Sequence, residues 1–149
     1  MAKATTFKPL SVKIKTTIQV DRQRLSNLLC CAFEGGSNHW YRIEEYNAPK
    51  DENLFHSMGM CETFRSLDYP LSEGGSLLVS DFQIAEDVKE SALPDGKPVL
   101  LNLDRLCKGL SVMIEKYPRH YADFKDENED AYTGDVFLQC CIFGEVVYG

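Results

Sequence analysis

Val12, Ile14, Thr16, Ile18 and Val20 fall on one face of an extended chain, with Lys13, Lys15 and Gln19 on the other. This period of two predicts a half-buried strand. The period then changes. Asp21 is placed to cap a helix whose apolar stripe is Leu25, Leu28, Leu29 and Ala32, and which the Gly35-Gly36 pair ends. Trp40 to Tyr46 predicts a second strand. Ser76 to Val88 and Pro98 to Leu103 are further strand regions, linked through the Pro94-Asp95-Gly96 turn. A helix starts at Asn102 or Asp104, carries Leu106, Cys107, Leu110, Met113, Ile114 and Tyr117 along one side, and stops at Pro118. An acidic loop follows: Asp123, Asp126, Glu127, Glu129 and Asp130. The last helix runs from about Thr133 to Phe143 on a stripe of Val136, Phe137, Cys140 and Cys141, closed by Gly144 ahead of a short tail, Glu145 to Gly149.

These elements predict an α+β fold with an antiparallel or mixed sheet packed by two or three helices. Residues 1–11 read as a basic lead-in and 12–149 as one domain. A long insertion at about 47–75, broken by Pro49, Pro70 and Gly74-Gly75, has the length of a functional loop or lid.

A length of 149 residues, 44% hydrophobic and 26% charged, fits one soluble globule. No apolar run approaches the roughly 18 residues that span a bilayer, and Met1 to Val20 lacks a secretory h-region. A cytoplasmic protein is expected. The six cysteines, Cys30, Cys31, Cys61, Cys107, Cys140 and Cys141, mostly occupy helical core positions, so they are expected reduced and buried. No Cys-x-x-Cys or His-x-x-x-His spacing occurs, and neither a metal nor another cofactor is expected.

Charge is unevenly spread. The net value is −7, yet residues 1–24 sum to +5 and the remainder to −12. An acidic body argues against direct nucleic-acid binding, which draws on phosphate neutralisation. It suits a surface that imitates a polyanion and enters a basic groove on another protein. Solubility alone is the plainer explanation of the same charge.

The densest candidate chemistry is Glu34-Gly35-Gly36-Ser37-Asn38-His39-Trp40-Tyr41. Adjacent glycines let several amides point into one hollow, an anion nest to which Ser37 and Asn38 add donors. Trp40, the chain's single tryptophan, and Tyr41 offer stacking surface. Glu34 or Asp135 suits a ribose hydroxyl or base amine, and Gln139 lies one helical turn beyond Asp135. Spacing and the missing lysine exclude a dinucleotide fingerprint and a P-loop. The structural alternative is a tight helix-to-strand turn with Trp40 anchoring the core. Asp126, Asn128 and Asp130 imitate a calcium loop, but Ala131 and Phe137 stand where glycine and glutamate are required. The histidines, His39, His56 and His120, come with no Gly-x-Ser-x-Gly elbow, so an enzyme is the least favoured class.

Two stretches, Ala32 to Tyr41 and Asp130 to Gln139, together with Phe143-Gly144-Glu145-Val146-Val147-Tyr148-Gly149 and Lys108-Gly109-Leu110, carry a likeness. The chain resembles a family of small proteins encoded by phages, prophages and mobile elements. His39 occupies a position where that family often has tyrosine. The resemblance implies no catalytic role. It implies a genomic setting in which small proteins counteract host defence, and hence the host cytoplasm.

The expected function is therefore a non-enzymatic anti-defence protein that sequesters a small nucleotide-like ligand. Glu34, Gly35, Gly36, Ser37, Asn38, Trp40, Tyr41, Asp135 and Gln139 would form its pocket, plausibly in a homo-oligomer. The alternative is an acidic inhibitor that uses Asp126, Glu127, Glu129 and Asp130 to occupy the nucleic-acid groove of a host defence protein.

Overall fold

A computed structural model describes residues 7–51, 65–81 and 91–149. Helix α1 (Arg22–Cys31) begins at Asp21, whose carboxylate accepts the Gln23 N–H. It runs into a π-helical turn, Ala32–Gly36. Strand β1 (Tyr41–Asn47) follows, then a 3₁₀ helix (Arg65–Leu71), β2 (Ser76–Asp81) and β3 (Val99–Leu101). Three helices complete the chain: α2 (Leu103–Lys116), α3 (Pro118–Lys125) and α4 (Ala131–Phe143).

The strands form an antiparallel sheet in the order β1-β2-β3. Ile43 and Val99 both sit opposite Val79, and Leu101 sits opposite Leu77. A bulge between Ile43 and Glu45 shifts the β1 register. The fold is α+β, as the periodicities predict.

Helix α4 is the centre of the core. Its residues Thr133 to Ile142 are all buried. A helix with no solvent face must be apolar or internally satisfied on every side, and α4 is both. Around it stand Leu28, Leu29 and Ala32, the α2 residues Leu106 and Met113, and the sheet residues Leu77 and Leu101, each fully buried. Three glycines let the helices approach. A Cβ on Gly134 would lie 2.5 Å from the Ala32 nitrogen, and one on Gly109 would lie 2.2 Å from the Cys141 sulfur. A Cβ on Gly36 would lie 1.9 Å from the Ala131 carbonyl oxygen. All three mark places where backbone meets backbone or a buried thiol.

Three sequence expectations are corrected. Val12 to Val20 forms no strand; residues 7–19 are exposed and lack regular structure. Alternation specifies a strand only where a ladder partner exists, and among the described residues the arm has none. Pro118 does not merely stop α2. It opens α3, where its missing N–H falls on a position that has no intrahelical acceptor, so part of the expected acidic loop is helical. The expected insertion at about 47–75 is not all loop: it holds the 3₁₀ helix, whose Asp68 and Leu71 are buried, and Leu71 joins the core. Residues 52–64 of that region, the 82–88 part of the third expected strand, His56 and Cys61 lie outside the described residues. No helix among the described residues is long and apolar enough to cross a membrane.

Candidate functional site

The π-helical turn brings the sequence-selected residues to α4. Ser37 N–H donates to the Ala32 carbonyl (2.8 Å), closing the wide turn, and Trp40 N–H returns to the Ser37 carbonyl (3.0 Å). Gly35 and Gly36 do not adopt positive φ; among the described residues the glycines that do are Gly74, Gly96 and Gly144. Gly36 is present because α4 passes against it, not to form a nest of inward-pointing amides.

Ser37, Trp40, Asp135 and Gln139 do converge, as the sequence reading expects. They converge on one another. Asp135 Oδ1 accepts the Ser37 hydroxyl and the Trp40 Nε1–H, both at 2.7 Å. Its Oδ2 accepts Gln139 Nε2 at 2.9 Å. The same Nε2 donates to the Tyr148 carbonyl (2.9 Å), while Gln139 Oε1 accepts the Val147 and Tyr148 N–H groups (2.8 and 2.9 Å). The glutamine side chain acts as a peptide group for the tail: one carbonyl and one amide face a backbone that offers the complement.

Tyr148 then lies over the indole. Its ring stacks on Trp40 at 5.8 Å and 16°, and Phe143 closes another side of Trp40 at 5.2 Å. The Tyr148 hydroxyl donates to Asp81 Oδ2 (2.6 Å), which ties the tail to the end of β2. Burial pushes the Asp81 carboxyl upward, but hydrogen bonds from Ser91, Tyr148 and the Ala92 N–H outweigh it and hold the group below its ordinary value.

The pocket expectation is corrected on this geometry. Trp40, Ser37 and Gln139 are 0% exposed and Asp135 is 4% exposed, so the polar groups assigned to a guest already satisfy one another. Tyr41 packs edge-on against Phe33, and its hydroxyl donates to the Phe33 carbonyl (2.9 Å). Glu34, Gly35, Asn38 and His39 remain exposed on the outer shoulder of the turn, where Asn38 Nδ2 reaches back to the Glu34 carbonyl. His120 packs edge-on against Tyr132.

The acidic set divides. Asp126 caps the end of α3 and is exposed. Glu127 is exposed and takes a left-handed backbone, φ 59. Glu129 is turned inward; its side chain is 7% exposed and grips the Arg24 guanidinium with both oxygens. Arg24 also donates to the Phe124 carbonyl and lies over the Phe124 ring at 4.7 Å. Asp130 is the N-cap of α4, and hydrogen bonds from Thr133 hold its carboxyl below the ordinary range. Burial raises the Cys31 thiol first, and the charges of Glu129, Asp130 and Glu34 raise it further. Among the described residues no group of three or more His, Cys, Asp or Glu could hold a metal ion.

Sequence reasoning missed Tyr148 and Phe143 as partners of the tryptophan, and Asp81 as the partner of Tyr148. Tyr148 belongs to the short C-terminal tail, and nothing in its spacing shows that the tail folds back on α4. Compared with protein-family models, curated proteins and solved structures, the chain shows no significant match.

Proposed function

We propose that the protein is a non-enzymatic binding protein that works through its acidic face, engaging a basic groove on another protein. The observation that carries this reading is that the π-helical turn bearing Glu34 packs against Ala131, the residue that directly follows the loop from Asp126 to Asp130. Two carboxylates of that loop, Glu129 and Asp130, are engaged in holding the loop to α1 and starting α4. They present the exposed Asp126 and Glu127 on a braced support, which suits electrostatic recognition. The inward closure of Trp40, Ser37, Asp135 and Gln139 weighs against a nucleotide receptor in the same region. The likeness to phage-encoded proteins supports taking the partner from the host's nucleic-acid-binding defence proteins.

The test is competition. Such defence proteins, loaded with labelled nucleic acid, are titrated with this protein at low and high salt. Displacement is expected at low salt and should fall steeply as screening increases. Asp126→Asn with Glu127→Asn should slow association at least severalfold while leaving the melting transition in place, because asparagine tolerates the left-handed backbone at 127. Native mass spectrometry that finds a retained nucleotide, or displacement indifferent to these substitutions, overturns the reading.

A further inference from the structure

The arm ahead of α1 carries an unusual share of exposed apolar surface. Phe7, Leu10, Val12 and Ile14 are 76–92% exposed, and Ile18 is 39% exposed. Isolated exposed apolar side chains are ordinary, but a contiguous set along one segment marks an interaction surface. The arm packs on the core at its end, through Val20. Between residues 14–20 and the apolar side chains of Leu25, Leu103, Leu110, Ile114 and Tyr121 lies an open groove of about 1090 Å³.

The arm's pattern is palindromic. On the apolar face the order is Val12, Ile14, Thr16, Ile18, Val20, which reads the same in both directions. An antiparallel pairing of two identical arms centred on Thr16 would set Val12 opposite Val20, Ile14 opposite Ile18 and Thr16 opposite itself. All are β-branched pairs, which antiparallel ladders favour. On the other face Lys13 would meet Gln19 and Lys15 would meet Thr17, so no lysine stands directly opposite another. The arm thus has the register of a strand, no partner among the described residues of its own chain, and a composition complementary to itself.

We infer that the arm is a dimerisation strand: residues 12–20 of two copies pair antiparallel about a two-fold axis through Thr16. The apolar face of the two-stranded ribbon then lies over the grooves beside α2. This contact is isologous and closes, so it yields a dimer and not a fibre. It also resolves the failed strand expectation at 12–20, since the missing ladder partner is supplied by a second copy. The inference does not depend on the acidic face, which is carried by other elements.

Sedimentation of the full chain across a concentration series tests it. The unmodified protein is expected as a dimer. Thr16→Pro removes a ladder donor at the axis and should give a monomer that keeps the helical circular dichroism and a cooperative melting transition, because the arm lies outside the core. Gln19→Lys places lysine opposite Lys13 twice and should weaken dimerisation roughly two- to thirtyfold, whereas Gln19→Glu should strengthen it. A monomer at every concentration, or a dimer indifferent to Thr16→Pro and to both changes at Gln19, overturns the inference.

Discussion

A methyl group added at Gly35 and one added at Gly36 meet different surroundings. At Gly35 the nearest atom is Ala131 Cβ at 3.5 Å, an ordinary contact. At Gly36 it is the Ala131 carbonyl oxygen at 1.9 Å, which no side-chain rotation relieves. Gly35→Ala is therefore expected to leave stability unchanged or raise it by about 0.5–1 kcal/mol through lost chain entropy in the unfolded state. Gly36→Ala should cost about 1–3 kcal/mol or more, because the start of α4 must move away. Urea denaturation of the two variants measures the contrast. A ligand nest would have made both positions sensitive to a guest; helix contact makes only one of them sensitive to packing.

At the scale of elements, Gln139 makes three of the hydrogen bonds that hold the C-terminal tail, beside Asp81, which accepts the Tyr148 hydroxyl, and Tyr117, whose hydroxyl accepts the Val146 N–H. Gln139 satisfies two tail N–H groups and one tail carbonyl while donating to Asp135. Gln139→Leu is close in size, yet it strips those groups of their partners. We expect a loss of about 2–4 kcal/mol and release of residues 145–149. Trp40 reports the release, since Tyr148 covers its face and no other tryptophan is present. Its emission should shift to the red and become accessible to acrylamide, whereas Asn38→Ala, on the exposed shoulder, should leave it unchanged. Helix starts were legible at this scale: Asp21, Asn102 and Asp130 each accept a backbone N–H in the first turn. Helix α3 was not, because Pro118 ends one helix and begins another, and the sequence signal for both events is the same residue.

For the whole molecule, charge and pH act through different groups. Burial raises the Asp68 carboxyl to about 6, partly opposed by the Ser26 hydroxyl, which donates to it at 3.0 Å. The ordinary value is 3.8, so the folded state holds this proton more tightly than the unfolded state between 3.8 and about 6. Stability from this group is full below that window and is lost as pH rises through it. Asp81 and Asp130, held low, act in the opposite sense and lose their contribution as pH falls toward acid. Asp68→Asn keeps an acceptor for Ser26 and removes the titration. The variant should gain stability relative to the unmodified protein as pH rises from 4 toward 6, and melting curves across that range measure the difference. A constant offset at all pH values would show that Asp68 is not titrating there.

The periodicities by themselves determined the α+β class, the ends of α1, α2 and α4, and the three strands of the sheet, because local propensity, capping and alternation act within a few residues. They also brought Ser37, Trp40, Asp135 and Gln139 to attention as one polar set. Which way that set faces was decided only by tertiary structure. Whether an indole and a carboxylate turn to solvent or to each other depends on where α4 passes and where Tyr148 returns, and both contacts join segments about a hundred residues apart. The arm shows the same division. Its alternation was plain in the sequence, but a strand is a property of a pair, and the described part of the chain provides no second member.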